Sequence, residues 1–440
     1  MKEKSKAGLF TRRKFIKSSA LALGGGGALG MLAPDFLIAA KKSIGTFWFN
    51  QPFQADNFKK VIARFRNSQD KYDMNIVLVP QPEMPTKLAT AIAGGEPPDA
   101  VRLGGPVLNS LFIDRGQAVA LDDFEPKIGT YDWIPAVQQA VTRNGKMYAM
   151  PVNSGCLALV YNKELYEASG LDPERPPTTL MELLEAATKI AKPSQQIWGH
   201  YVMTAPTHNT GGFFFEAILW AFGSQVVSDD GKEVVFNSPD GVAALKWYHD
   251  LIRVRKVMPV KQVTETIMLN DFLTGKVGSM FSFPATLARV AAAKFKAGTA
   301  RMPKGPKGSK VPVGFGTIMV LKKAKNIEAG WAFTKFIGLD PENAAFWNIS
   351  FGQLPARYSY RETPSWKEYQ EKNPLVNAYL EGQKTAALSY YGPGTQEIST
   401  RLAKAIEAVA FGKQTPKEAL DKAAVDCQRI LNRERKRLGL

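Results

Sequence analysis

Two side chains have the types that nucleophilic catalysis requires. Cys156 lies in an apolar, strand-like segment, and His208 follows it later in the chain. A thiol that an imidazole activates can act as a nucleophile. The alternative is that Cys156 is a small apolar residue inside a strand. We favour this alternative, and predict no enzyme activity and no catalytic residue.

Metal and nucleotide chemistry have little support in the sequence. His200, His208 and His249 lack the spacing of zinc ligands. No G-x-x-x-x-G-K-[ST] motif is present, so the chain is not expected to hydrolyse nucleotide. Cys156 and Cys427 are too few for a disulfide framework, and we expect two separate, partly buried thiols. We therefore predict no metal site and no cofactor.

The chain is strongly basic, with a formal net charge of +17. The charges are scattered, apart from dense clusters at 304–310 and 429–437. The first is typical of a solvated loop and the second of a frayed helix end. Scattered positive charge favours solubility, with an anionic ligand as the second interpretation. We predict no nucleic-acid partner.

The first forty residues resemble a twin-arginine export signal. Arg12 and Arg13 precede a Gly-rich, weakly apolar run over 18–33. This run is short for a membrane span, which needs about 20 apolar residues. The alternatives are a basic arm or an uncleaved anchor. We assign residues 1–40 to the signal, which predicts a periplasmic protein exported by the twin-arginine route and anchored if the signal is not cleaved.

Strands and helices alternate after the signal. Apolar and β-branched runs predict strands at 43–49, 75–80 and 99–103, separated by helices at 56–67 and 87–93. The unbroken apolar run of the second strand predicts burial on both faces. This order predicts a parallel sheet with crossover helices, which binds ligands at the carboxyl ends of its strands.

Strands and helices continue through the rest of the chain. Further strands are predicted at 146–151, 155–161, 277–283 and 311–321, and further helices at 178–191, 210–222, 238–254, 268–275, 327–338, 395–411 and 417–431. Asn162 and Thr179 are predicted helix caps. About 400 residues are too many for one core of typical size, so two lobes are expected.

Five motifs, in order, resemble one known family. They are residues 87–99 (KLATAIAGGEPPD), 145–151 with 160–166 (GKMYAMP and VYNKELY), 177–183 (PTTLMEL), 271–280 (DFLTGKVGSM) and 412–420 (GKQTPKEAL). Over residues 44–432 the chain resembles the bacterial extracellular solute-binding proteins of family 1, the sugar receptors of ABC importers typified by the maltose and glycerol-phosphate receptors. These motifs are scaffold, so function must be argued from the cleft.

The resemblance implies an α/β, two-lobed periplasmic binding protein fold of type II, with a ligand cleft between lobes that hinge crossings join. The implied domains are 41–153 in lobe 1, 154–310 in lobe 2, 311–365 back in lobe 1 and 366–440 in lobe 2. The implied function is to bind a sugar or polyol by hinge closure and to deliver it, as a monomer, to the transmembrane permease. A phosphorylated or other anionic solute, such as a glycerol phosphate, is the alternative.

The chain departs from the maltose-receptor pattern at several positions. Gln51 and Pro52 stand where an acidic and a basic residue help bind the disaccharide, and Gly155 stands in place of a carboxylate. Arg102 occupies the position of an aromatic residue. Maltodextrin specificity is therefore not implied, and the positive charge leaves room for acidic solutes.

The candidate ligand residues lie where strands end or helices begin. A sugar site needs aromatic platforms and polar groups at its rim. Trp48 is the predicted stacking platform, and Phe214 is the predicted ligand-facing residue of three consecutive phenylalanines. The full predicted set is Trp48, Asn50, Gln51, Gly105, Asn153, Ser154, Asn209, Thr210, Phe214, Ser282, Phe283, Gly316, Tyr390 and Tyr391.

Overall fold

The computed structural model describes residues 42–51, 54–81 and 83–440, apart from the side chains of 106–108. The predicted export signal lies outside the described residues. The strands are β1 (Ser43–Phe49), β2 (Tyr72–Leu78), β3 (Ala100–Gly104), β4 (Thr142–Arg143), β5 (Lys146–Met147), β6 (Met150–Cys156), β7 (Ala158–Asn162), β8 (Trp198–Tyr201), β9 (Val277–Ser282), β10 (Ala297–Arg301), β11 (Val311–Val320) and β12 (Ala386–Ala387).

The helices follow the same chain order. They are α1 (Ala55–Ser68), α2 (Met84–Ala93), α3 (Gly105–Ile113), α4 (Pro135–Val141), α5 (Lys163–Glu167), α6 (Leu180–Ile190), α7 (Phe215–Phe222), α8 (Pro239–His249), α9 (Glu265–Leu273), α10 (Leu287–Ala291), α11 (Ile327–Gly338), α12 (Pro341–Phe351), α13 (Pro364–Lys372), α14 (Asn377–Gly382), α15 (Thr395–Ala410) and α16 (Pro416–Leu438). A π-helical turn, Thr210–Phe214, precedes α7. No helix in the described part of the chain combines the length and apolarity of a membrane span.

The first sheet has the strand order β12-β11-β3-β1-β2, and β6 also pairs with β11. β1 is parallel to β2 and β3, as the alternation of strands and helices predicted. β11 runs antiparallel to both β3 and β6, and Gly316 is level with Gly104 on one side and Asn153 on the other. The carboxyl end of β3 is therefore separated from β6 by β11 alone.

The prediction that the second strand is buried on both faces is wrong. β2 forms the edge of the sheet, and Val77 and Leu78 are 40% and 41% exposed. An unbroken apolar run predicts a strand without revealing its place in the sheet, because strand order depends on residues far away in sequence.

The second sheet has the order β10-β7-β9-β8. β7 is antiparallel to β9 and β10, and β8 is parallel to β9. The predicted strands 146–151 and 155–161 have different boundaries in the structure. β6 extends to Cys156 because it pairs with β11 along its length, and β7 begins only at Ala158.

Two large cores lie against the two larger sheets. The first contains buried side chains from 47–152 and 313–356, and the second contains residues mainly from 156–311 and 366–431. Strands β6 and β11 and the segment after α12 pass between the cores, and Ser154 bridges Leu354 there. The described chain thus forms two lobes joined by three crossings. The lobe boundaries at 153/154, 310/311 and 365/366 stay a prediction.

Arg357 fastens the third crossing to the first lobe. Its Nε donates to Asp132 Oδ1 at 2.8 Å, and its guanidinium lies 4.3 Å from the ring centroid of Tyr131 and 4.6 Å from that of Tyr360. The backbone N–H of Ser359 donates to the same carboxylate. The carboxylate of Asp132 and the two aromatic faces therefore compensate the positive charge of this guanidinium.

Local signals set the helix ends. Asn162 accepts two backbone N–H groups at the start of α5, and Thr179 accepts one at the start of α6, as predicted. α11 begins and ends at the predicted residues. The predicted helix over 210–222 is α7 preceded by the π-helical turn.

Candidate functional site

A chain of polar side chains lies at the sheet edge where β1 and β3 end. We call it the polar floor: Asn50, Gln81, Arg102, Asn153 and Gln353. Arg102 is its centre, with Nη1 donating to Asn50 Oδ1 at 2.6 Å and Nη2 donating to Asn153 Oδ1 at 3.3 Å. Asn50 Nδ2 donates to Gln81 Oε1 at 3.3 Å, and Asn153 Nδ2 donates to Gln353 Oε1 at 3.4 Å. The floor thus connects the first lobe to two of the crossings.

Glycine makes the close packing of the polar floor possible. A Cβ at Gly316 would lie 2.5 Å from Asn153 Oδ1 and 2.6 Å from Arg102 Nη2, so a larger residue would displace the guanidinium. Gly105 turns the chain from β3 into α3 with a φ of +73°, a left-handed conformation that glycine adopts readily. Asn109 Nδ2 donates to its carbonyl oxygen at 2.6 Å.

The charge at the centre of the floor has only neutral hydrogen-bond partners. Arg102 is 4% exposed, and its guanidinium lies 5.8 Å from the ring centroid of Phe49. Burial lowers the pKa of Arg102 to about 10. The guanidinium therefore stays protonated at neutral pH and places a buried positive charge at this edge of the sheet.

The second lobe contributes three phenylalanines that we call the aromatic wall: Phe213, Phe214 and Phe283. The Phe283 ring lies 6.1 Å from Phe213 and 5.9 Å from Phe214, edge to face in both pairs. A Cβ at Gly314 on β11 would lie 3.1 Å from the Phe283 ring, so the wall reaches this crossing strand.

Exposure favours Phe213 over the predicted Phe214 as the ligand-facing residue. Phe214 is only 1% exposed and belongs to the second core, whereas Phe213 is partly exposed. Both residues lie in the π-helical turn. The wider π-helical spacing orients consecutive rings differently from the α-helix that the sequence predicted.

Ser154, which was predicted to contact the ligand, is instead hydrogen-bonded to other residues of the hinge region. It is fully buried, and its hydroxyl donates to Pro355 O at 3.1 Å and accepts from Gln383 Nε2. Gln383 Oε1 in turn accepts from Arg361. The neighbouring residue Asn153 belongs to the polar floor, because successive side chains of a strand point to opposite faces.

Three other predicted residues make local hydrogen bonds. Thr210 Oγ1 donates to Ala205 O at 2.6 Å, the hydroxyl of Ser282 pairs with that of Thr286 at 2.8 Å, and the Tyr390 hydroxyl donates to Pro393 O at 2.8 Å. Thr210 and Ser282 are buried, and Tyr390 is partly exposed. These hydroxyl groups help to shape the loops around the aromatic wall.

The remaining predicted residues lie outside these networks. Trp48 is partly buried and packs against the first core. Gln51, Asn209 and Tyr391 are partly exposed. The structure therefore joins Asn50, Asn153 and Gly316 through Arg102, and joins Phe214 with Phe283. The ligand contacts of all predicted residues, including the stacking role of Trp48, stay predictions.

Glu216 is a buried carboxyl group that the sequence reasoning missed. It lies in α7, is 2% exposed, and accepts the backbone N–H of Tyr390 at 3.1 Å. Burial raises the pKa of Glu216 to about 8. The signal in the sequence was a single carboxylate among aromatic and aliphatic residues, just as Arg102 was a single charge within an apolar strand.

A cavity of about 310 Å³ lies between the two lobes. Gln54, just before α1, Asn57 of α1 and Gly352 line it from the first lobe, and Leu287 and Tyr369 line it from the second. Because α1 begins just after β1, the cavity lies at the carboxyl edge of the first sheet. Both lobes contribute polar and apolar groups to its lining, which suits a small amphipathic ligand.

The environment of Cys156 does not suit a nucleophile. Its Sγ donates to Tyr379 O at 3.4 Å and is buried. Burial raises the pKa of the Cys156 thiol to about 12, whereas a reactive cysteine needs a lowered pKa. Within the described chain Cys156 and Cys427 are both free, and no cluster of potential metal ligands is found there.

Two lobes, hinge crossings and a cleft at strand ends define a two-lobed periplasmic binding protein. The chain belongs to the bacterial extracellular solute-binding proteins, whose family model matches residues 60–374. The resemblance seen in the sequence is thereby confirmed. The family consists of binding proteins, so no enzyme is expected from it.

Individual relatives match over most of their length. A putative binding protein of Brucella abortus is 25% identical over 380 residues, covering 86% of this chain and 90% of the relative. The sn-glycerol-3-phosphate-binding periplasmic protein UgpB of Salmonella paratyphi A is 26% identical, covering 73% and 74%. The tagatose-bound ABC transporter solute-binding protein of Thermotoga lettingae has the same fold, with a TM-score of 0.78 at 24% identity over 89% of this chain and 100% of that one.

Proposed function

We propose that this protein is the periplasmic substrate-binding component of an ABC importer and captures a sugar or sugar-like polyol between its lobes. The observation that supports this function is a hydrogen-bonding floor in one lobe and an aromatic wall in the other, both next to the crossings. Sugars present hydroxyl edges and C–H faces that match such surfaces. Relatives bind tagatose or are named for sn-glycerol-3-phosphate binding.

Binding acts through closure of the lobes. A solute that contacts both lobes binds the closed arrangement better than the open one, and this difference in affinity drives closure. Amide groups of the polar floor hydrogen-bond the solute hydroxyls, while Phe213 and Phe283 contact its C–H face. The closed protein acts as a monomer and presents both lobes to the transmembrane permease.

A solute screen on residues 41–440 tests this function. We expect at least one sugar or polyol to raise the melting temperature, because a ligand that binds only the folded state stabilises it. Asn153→Ala should weaken that shift by removing a member of the floor, whereas Asn432→Ala, on the exposed face of α16, should not. A shift with an amino acid or peptide and with no carbohydrate would contradict the proposed solute class.

Export by the twin-arginine route is a separate prediction about the first forty residues. Replacing Arg12 and Arg13 together by lysine should leave folded, ligand-competent protein in the cytoplasm, because this route reads the arginine pair. Cell fractionation measures the distribution, and Lys4→Arg with Lys6→Arg is the charge-preserving control. Normal export of the Arg12/Arg13 variant would exclude the twin-arginine route and leave the receptor function untouched.

A further inference from the structure

The two most deeply buried arginines of the first lobe differ in how their charge is compensated. Arg357 pairs with Asp132 at 2.8 Å. Arg102 is the more deeply buried of the two, yet among the described residues it makes no ion pair, and its Nε has no hydrogen-bond partner. Each terminal nitrogen of Arg102 donates to one neutral amide oxygen. A buried charge without a counter-charge is unfavourable, so this arrangement needs an explanation.

The carboxylate nearest to β3 in the sequence has other hydrogen-bond partners than Arg102. Asp99 precedes the strand, and its carboxylate accepts the backbone N–H groups of Thr46 and Asn326, both at 2.7 Å. It therefore lies at the amino end of β3, where parallel strands do not bind ligands. Arg102 instead bonds to Asn50 and Asn153 towards the carboxyl end, where parallel strands bind ligands.

A second feature favours negative charge at the same edge. α3 begins at Gly105, directly after β3, and its first N–H groups carry the partial positive charge of a helix start. A Cβ at Gly104 would lie 3.7 Å from Asn50 Nδ2, so the floor and the helix start are adjacent. The guanidinium and the first N–H groups of α3 therefore both favour a negative charge at the same edge of the sheet.

We propose that Arg102 is the charged subsite for an oxyanion, a carboxylate or a phosphate, carried by the solute. The planar guanidinium suits two-point recognition of such groups, and the solute supplies the counter-charge that the described chain lacks. Asn50 and Asn153 hold the guanidinium in place and direct it to the ligand. This inference rests on the proposed function, since it identifies the class of solute that binds in the same cleft.

Calorimetric titration with matched ligand pairs tests the proposal on residues 41–440. The pairs are galactose with galacturonate, for a carboxylate, and glycerol with glycerol 3-phosphate, for a phosphate. We expect the acidic member of one pair to bind at least about tenfold more tightly than its neutral partner. Arg102→Met should abolish this preference, and Arg102→Lys should retain part of it. Arg64→Met, at an exposed arginine, should leave the preference unchanged.

The outcomes separate this inference from the function beneath it. Equal or tighter binding of the neutral member in each pair would overturn the oxyanion subsite while the receptor function stands. An equal loss for both members in Arg102→Met would make Arg102 purely structural and also overturn it. If only amino acids bind, the proposed solute class fails, and glutamate against glutamine then decides the role of Arg102. The wild-type comparison and Arg102→Lys keep the test decisive if Arg102→Met does not fold.

Discussion

Replacing Gly211 by alanine is expected to lower the free energy of unfolding by about 3 kcal/mol. Gly211 lies in the π-helical turn that carries Phe213, and its backbone packs directly against α15. A Cβ at this position would overlap the carbonyl oxygen of Ser399. Because that oxygen belongs to a helix backbone, the whole of α15 must shift to admit one methyl group.

Urea unfolding of the two variants Gly211→Ala and Gly129→Ala measures the effect. Gly129 is exposed, and among the described atoms a Cβ there meets nothing within 4 Å. Its replacement should therefore change stability by less than about 1 kcal/mol. If Gly211→Ala were as stable as the wild type, α15 would shift at little energetic cost. That result would contradict the close packing of Gly211 against α15.

The same substitution reaches the proposed ligand site. Displacement of the π-helical turn moves Phe213 relative to Phe283, so the solute found in the screen should bind at least about tenfold more weakly to Gly211→Ala. Tryptophan fluorescence during titration reports this affinity. If Gly211→Ala is destabilised but binds the solute with unchanged affinity, Phe213 does not contact the ligand.

The parts of the fold that neighbouring residues determine were predictable from the sequence. Helix α11 and the cap of α5 at Asn162 appear as expected, because helical periodicity and capping involve residues within four positions of each other. The parallel arrangement of β1, β2 and β3 followed from the alternation of strands and helices. The family could be identified because its motifs record these same local features.

The connections of the site could not be read from local sequence. Arg102 bonds to residues 52 and 51 positions away, and Glu216 bonds to a residue 174 positions away. Asn153 and Ser154 were both predicted to bind the ligand. Strand alternation instead sends one to Arg102 and the other to Gln383, and which face meets the cleft depends on distant strands.

The contribution of Glu216 to stability is expected to fall as the pH rises from about 4.5 to about 8. Burial raises the pKa of Glu216 from 4.5 to about 8 in the folded protein. Between these values the unfolded chain loses the proton while the folded protein keeps it, so the folded state binds more protons and loses stability with rising pH. Below this window both states are protonated, and above it both are ionised.

Glu216→Gln should therefore gain stability over the wild type as the pH rises, by on the order of 5 kcal/mol between pH values below 4.5 and above 8. The amide keeps an oxygen that can accept the N–H of Tyr390 and stays neutral throughout. Urea unfolding across the pH range measures the difference in stability between Glu216→Gln and the wild type. Burial also raises the pKa of Glu265, but this second carboxyl group is present in both proteins, so its contribution cancels in the difference. Glu185→Gln, on the exposed face of α6, should follow the wild-type curve. Parallel curves for Glu216→Gln and the wild type would show that Glu216 is ionised in the folded protein, and the space around its carboxyl group would then have to admit water or a cation.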